Sequence, residues 1–342
     1  MMRVAMETLV KFGTNLLVAR GVPRVRARYV ARVAVETEAF RQSTHGIVLF
    51  KGLVENLGRG VDPRRDPQVV RRTAAGILLD GEGCLATWAV KVARDAAMAR
   101  ARKTGVAFAA VRDTGWVAAL GMHLVPAAEA GFVATAWAQS SGCQDCAPFG
   151  GIESCFSTNP IAMAIPTDGD PVVADFSTAT MSAGAANAMI AAGRRSAVPR
   201  FLDCRGRPTC DPAVFDQGGT LMFLGCEVDG YKGYALSLLN EALTAAVGGQ
   251  ANHRIGPSRQ TFGLTLIDPA KFGGRAHYLA EMKRFLSRVR RVTPRPGFEV
   301  RIPGARGFQA LRDCRRRGIP LTDEKLAMLR ELAKQAGIPP LA

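Results

Sequence analysis

The chain has 342 residues, 48% of them hydrophobic, which is enough apolar material to fill the cores of two or three lobes and too much for disorder. Residues 1–20 set Arg3, Glu7, Lys11 and Arg20 among their apolar neighbours, a pattern that excludes a signal peptide or membrane helix there and reads as a cytoplasmic protein with no membrane partner. The formal charge of +16 raises nucleic acid as a partner, but basic residues recur along the whole length with almost no interleaved aromatics. They read as a solvated basic surface, one that attracts anionic substrates and phosphorylated cofactors and binds no nucleic acid.

The first 75 or so residues have helical spacing. Residues 4–19 form one predicted helix, Gly21-Val22-Pro23 stops it, and a second follows with Val25, Val30, Val33 and Ala34 at helical intervals. The polar link Arg41-Gln42-Ser43-Thr44 leads to His45-Gly46 and then to an apolar helix closed near Gly58. After a loop with Pro63 and Pro67, residues 86–103 read as an Ala-rich helix. From Gly105 onward short β-rich runs alternate with helices. Strands are predicted at 106–111, 132–138, 161–165, 172–176, 221–224, 262–267 and 298–302, and helices at 118–130, 184–193, 232–246, 276–291 and 322–335. The last helix has a good start signal, with Thr322 as N-cap and Asp323 and Glu324 in its first turn. The pattern defines an α+β or mixed α/β chain without internal repeats: a helical lobe over residues 1–75, completed by C-terminal helices within 305–342, and an α/β region over 76–304.

Eight cysteines are scattered along the chain, as suits reduced thiols better than a disulfide framework. Cys143-Gln144-Asp145-Cys146 has metal or redox spacing, but a zinc site needs two more ligands and a thioredoxin-like motif needs its own strand-to-helix setting, so no metal is assigned. His123, His253 and His277 have no partners in sequence and read as surface or packing residues. No Gly-x-Gly-x-x-Gly follows a strand and no Gly-Lys-Ser/Thr is present, so a bound nucleotide would need another architecture. One such place is the segment Asp175-Phe176-Ser177-Thr178-Ala179-Thr180, which ends a predicted strand just before a helix start near Gly184; small hydroxyl residues beside a helix N-terminus form an anion site.

Seven motifs stand in order: residues 21–33, Thr44-His45-Gly46, Pro148-Phe149-Gly150-Gly151, Thr158-Asn159-Pro160, Asp175-Phe176-Ser177-Thr178, Lys232-Gly233-Tyr234 and Pro303-Gly304. In order and spacing they resemble the malate/lactate dehydrogenase type 2 family, non-Rossmann nicotinamide-dependent oxidoreductases that include ureidoglycolate and sulfolactate dehydrogenases, diketogulonate reductase and cyclic ketimine carboxylate reductases. The resemblance runs from about residue 10 to residue 337. It implies the family's mixed-sheet cofactor fold with a helical N-terminal lobe, NADH or NADPH as cofactor, a small-molecule substrate and a homodimer. It also implies His45 as the imidazole that exchanges a proton with the substrate, a task suited to a group of ordinary pKa about 6.5. Cofactor contacts fall to Ser140, Asp175, Ser177, Thr178, Ala179, Thr180, Lys232, Gly233, Pro303 and Gly304, with Lys232-Gly233 opening a long helix; Thr158 and Asn159 shape the pocket wall.

Departures from the family pattern bear on the substrate. Trp116 stands where the family has a second histidine, Leu49 and Leu53 stand where it has arginine and tyrosine, Ser157 replaces a glycine, Ala185 a lysine, and Ala305 the acid after Pro-Gly. Trp116 transfers no proton at neutral pH, and two groups suited to clamping a carboxylate have become apolar. A substrate bulkier and less polar than malate follows, and imine reduction is slightly favoured over ketone reduction because a protonated imine already carries its positive charge. The alternative is a catalytically silent relative that binds cofactor or a partner without turnover.

Overall fold

The structure, a computed structural model, describes residues 2–250 and 259–341. The order of elements is β1 (Met2–Val4), α1 (Met6–Ala19), α2 (Arg24–Ala39), α3 (Leu49–Asn56), β2 (Gln68–Arg72), β3 (Gly76–Asp80), α4 (Ala86–Thr104), β4 (Val106–Thr114), α5 (Gly121–Glu129), β5 (Val133–Ser141), β6 (Ile161–Ile165), β7 (Val172–Phe176) and α6 (Ala183–Ala191). Then follow β8 (Phe201–Leu202), β9 (Pro208–Thr209), β10 (Thr220–Leu221), α7 (Cys226–Glu241), β11 (Arg259–Ile267), α8 (Arg275–Arg290), α9 (Ala305–Arg317), β12 (Ile319–Leu321) and α10 (Asp323–Ala336). Among the described residues no helix is long and apolar enough to cross a membrane.

A seven-stranded mixed sheet, in the order β2-β3-β4-β11-β5-β6-β7, forms the centre. Only β3 and β4 are parallel, joined by α4 as a crossover; every other neighbouring pair is antiparallel. Small residues bring α4 close to the sheet: Ala89, Ala93, Ala97 and Ala101 are fully buried at helical spacing, and Ala107 and Ala109 of β4 are equally buried. Strand β11 lies between β4 and β5, two long strands far from it in sequence, and its Phe262, Leu264 and Leu266 are fully buried.

The N- and C-terminal segments interlock. β1 pairs with β12, and Leu9, Leu16, Leu17, Val30 and Ala34 from α1 and α2 share one core with Phe308, Leu311, Leu326 and Leu329 from α9 and α10. A partly buried ion pair joins them, Lys325 Nζ to the buried Glu38 Oε1 at 2.5 Å.

Several sequence expectations are corrected. Residues 298–302 form no strand; Phe298 is 62% exposed and alternates with Val300 and Ile302 without a strand to pair with. The stretch 1–75 is not wholly helical, since β2 lies inside it as an exposed sheet edge. Helix α7 begins at Cys226, behind the left-handed Gly225, so Lys232 sits in its second turn and does not open it. The strand expected at 221–224 is only the two-residue β10, and residues 242–246 finish α7 as a π-turn. His123 is buried and His277 exposed, while His253 lies outside the described residues.

Candidate active site

His45 lies in the turn between α2 and α3. The turn is fixed by its own backbone, with His45 N–H donating to the Gln42 carbonyl at 2.9 Å, and from outside by Glu38, whose Oε2 accepts the Ile47 N–H at 3.2 Å. Lys325 Nζ, already paired with Glu38, also reaches the Ser43 carbonyl at 3.4 Å. Gly46 is required by close approach: a Cβ there would lie 2.8 Å from the Glu38 backbone. His-Gly at this position is therefore what lets the turn dock against the last turn of α2.

The half-buried His45 ring faces a cavity of about 640 Å³ that it shares with Leu49, Leu53, Trp116, Ser140 and Thr158. Trp116 is its aromatic neighbour, with ring centroids 5.5 Å apart. Thr44 Oγ1 lies 2.8 Å from His45 Nδ1 and engages that nitrogen, leaving Nε2 for a bound molecule. Burial pushes the His45 pKa below its ordinary value, and the negative charge of Asp175 opposes the shift. Asp175 in turn is raised by burial, against the Gly121 N–H at 2.8 Å, the Gln42 amide at 3.2 Å and the charge of His45. Burial outweighs the mutual attraction of the two, so each shifts toward its neutral form.

The residues expected to hold a cofactor divide into three groups. Ser140 lines the cavity directly and receives the Gln260 side-chain amide at 2.7 Å. The turn at 177–180 lies behind the wall and its hydroxyls face the protein: Ser177 Oγ and Thr178 Oγ1 donate to the Thr158 carbonyl, Thr180 Oγ1 donates to the Arg200 carbonyl, and Thr178 and Ala179 are buried. Gly233 closes against that turn, where a Cβ would lie 2.7 Å from the Thr178 carbonyl oxygen, while Lys232 is exposed and pairs with Asp229. Asp175, Pro303 and Gly304 line a neighbouring groove of about 460 Å³. Asn159 does not line the cavity; fully buried, it donates to Ser237 Oγ and to Glu241 and accepts from Ser157 Oγ, pinning the wall to α7.

The helix start expected near Gly184 is present, and the structure adds Ser182 and Ala183 to it. All three line the same cavity as His45, nothing stands within 4 Å of a Cβ position at Gly184, and the first turn holds no acidic side chain. Ser182 Oγ caps the Ala185 N–H at 3.2 Å, and a helix start with no obstructing side chain at Gly184 fits a dinucleotide phosphate. Gln260 binds the Trp116 wall to the sheet, its Oε1 accepting the Val117 N–H at 2.6 Å. Asp145 also lines the cavity, its carboxyl pushed up to about 6 by burial against one N–H from Thr158. Cys143 lines it too, whereas Cys146 is buried.

The fold joins a mixed sheet to a cavity that an imidazole and a helix start both face, and comparison with known proteins identifies it as that of a dehydrogenase family. The family model for malate/L-lactate dehydrogenase matches residues 4–330, and the chain belongs to that family. A Δ1-pyrroline-2-carboxylate/Δ1-piperideine-2-carboxylate reductase of Pseudomonas putida is 31% identical over 325 residues, 91% of each chain. A malate dehydrogenase of Pyrococcus abyssi is 26% identical over 98% of this chain and 95% of its own. Among solved structures, Δ1-piperideine-2-carboxylate reductase of Pseudomonas syringae superposes with a TM-score of 0.88 at 28% identity, covering 97% of this chain and all of the other. Malate dehydrogenase of Entamoeba histolytica has the same fold, with a TM-score of 0.92 at 20% identity over 99% of each chain.

Proposed function

We propose that this chain is a nicotinamide-dependent oxidoreductase that reduces an α-imino or α-keto acid, or oxidises the corresponding amino or hydroxy acid, with His45 as proton donor and acceptor. When bound, NADH or NADPH supplies or takes up the hydride. The observation that carries the reading is that His45, its Nδ1 engaged by Thr44 and its Nε2 without a partner among the described residues, and the start of α6 face one cavity. In reduction His45 delivers its proton from Nε2 to the substrate oxygen, or keeps an imine nitrogen protonated, and Asp175 favours the charged imidazole that this needs. Trp116, Leu49 and Leu53 exclude water and pack against an apolar portion of the substrate, at about 25 cal/mol per Å² of apolar area buried. With its second family histidine replaced by Trp116, the cavity favours a cyclic ketimine acid, the substrate type named for the Pseudomonas relatives.

The proposal extends to a cytoplasmic homodimer whose mainly helical lobe, residues 1–75 with β1 and the edge strand β2 inside it, is completed by 305–342. Exposed Val228, Tyr231, Leu238 and Leu239 on α7 support the dimer. The test is a panel of α-keto acids and cyclic ketimine acids assayed with NADPH and NADH. A cyclic ketimine acid is expected to turn over fastest, and malate, lactate and their keto acids to be poor; fastest turnover of oxaloacetate or pyruvate would overturn the substrate assignment.

A further inference from the structure

The same cavity contains a cation that lies outside the seven motifs. Helix α3 ends at Asn56, and the chain reverses through Leu57-Gly58-Arg59-Gly60-Val61 in a tight loop. Gly58 and Gly60 take the left-handed region, at φ +80° and +117°, on either side of Arg59. The loop closes on itself: Gly58 N–H donates to the Val61 carbonyl at 2.9 Å, and both Arg59 N–H and Val61 N–H donate to the Asn56 carbonyl. It is also anchored from the sheet, because Arg259 Nη1 donates to the Gly60 carbonyl at 2.6 Å while Arg259 Nε pairs with Asp113 at 3.2 Å. Arg59 is thus presented by a fixed loop and lines the His45 cavity.

Among the described residues two arginines line that cavity, and they differ in how they are engaged. Arg259 is committed to Asp113 and to the loop backbone. Arg59 makes no ion pair and no side-chain hydrogen bond with the described residues. Leu53 and Leu49, about one and two turns before the end of the helix that leads to Arg59, are buried apolar wall. The cavity thus pairs a buried apolar wall with an exposed planar cation whose fork of N–H donors matches a carboxylate.

We propose that Arg59 is the carboxylate-binding residue of this enzyme and fixes its substrate class: a cyclic or bulky α-imino or α-keto acid whose carboxylate pairs with Arg59 while its apolar portion packs on Leu49, Leu53 and Trp116. The proposal rests on the oxidoreductase reading above and deepens it. The carboxylate partner has moved from the helix to the loop behind it, which leaves the helix free to be apolar. Asp145, the acid of the same cavity, belongs to the loop after β5 and repels a second carboxylate, which disfavours dicarboxylates such as malate.

The experiment titrates pyrrole-2-carboxylate and pyrrole-2-carboxamide, flat unreactive stand-ins for a cyclic ketimine acid, into wild type, Arg59→Met and Arg59→Lys by calorimetry. NADPH is titrated separately, and KM and kcat are measured on the best substrate of the panel. Arg59→Met is expected to weaken the carboxylate by about 10- to 100-fold, the usual loss for charge-assisted hydrogen bonds, with Arg59→Lys intermediate. The carboxamide and NADPH are expected to bind all three proteins alike, and KM to rise far more than kcat falls. Equal weakening of carboxylate and carboxamide, loss of NADPH affinity in place of carboxylate affinity, or no binding of pyrrole-2-carboxylate to wild type would each overturn the assignment. A wild-type protein that binds pyrrole-2-carboxylate through Arg59 but turns over no member of the panel would instead refute the oxidoreductase reading and leave the carboxylate site standing.

Discussion

His123 should make this protein lose stability in mild acid, and the size of the loss can be worked out. Its side chain is 1% exposed on α5, its Nε2 lies 3.3 Å from the Val117 carbonyl, and Nδ1 has no partner among the described residues. Burial, with a smaller contribution from the nearby Arg94 charge and against the Val117 hydrogen bond, holds the imidazole pKa down from 6.5 to about 4. The unfolded chain therefore takes up a proton below pH 6.5 that the folded chain refuses until about pH 4, so stability is flat above this window and falls as pH falls through it. At about 1.36 kcal/mol per pH unit the loss is about 3 kcal/mol, a large part of the roughly 5–15 kcal/mol that holds a typical domain together. Urea unfolding at pH 7 and pH 4, on wild type and His123→Gln, isolates this contribution because carboxylates and other histidines act equally in both. Glutamine keeps a donor for Val117 and does not titrate. The acid-induced loss should be about 3 kcal/mol smaller in the variant. Equal losses in the two proteins would mean that the folded chain takes up the His123 proton as readily as the unfolded one, its site opening to water, and the reasoning from burial would be refuted. Because Val117 adjoins Trp116, the same protonation should loosen the cavity wall.

His45→Ala should lower turnover by roughly 10²–10⁴-fold with NADPH affinity nearly unchanged, while Trp116→Phe costs far less; steady-state kinetics beside cofactor titration separates the two. Because burial lowers the His45 pKa, kcat/KM for reduction should decline as pH rises through a value below 6.5, and oxidation should rise over the same range. Asp175→Asn removes the charge that opposes this shift and should move both profiles to lower pH. Lys325→Met leaves Glu38, with a side chain 6% exposed, without its cation and should cost about 3–5 kcal/mol in chemical denaturation, with Lys325→Arg recovering most of it.

Much of the site was legible in the sequence because each part has a local signature. Thr44-His45-Gly46 at a helix entry, Trp116 after a strand and Thr158 before another converge on one cavity although they come from separate elements. What the sequence hid depends on long-range contact. Arg59 between two glycines reads as a charge on a turn, and its fixed position comes from Arg259, which reaches the Gly60 carbonyl from 199 residues away. Gln260 and Asp145 likewise acquire roles only through β11 and the loop after β5. The true start of α7 was hidden because its first turns, around exposed Val228 and Tyr231, have no apolar stripe facing a core. The turn at 177–180 reads as an anion site from its hydroxyls, yet they satisfy neighbouring backbone carbonyls, and it is Ser182 to Gly184 that face the cavity.

The most direct measurement of the proposed chemistry supplies the protein with NADPH deuterated at both C4 positions and Δ1-piperideine-2-carboxylate, and analyses the product by mass spectrometry and proton NMR. Hydride transfer in this cavity predicts a cyclic amino acid heavier by one mass unit per turnover, with the deuterium on Cα. Product formed without deuterium, or consumption of the cofactor with no labelled product from any ketimine or keto acid of the panel, would contradict it.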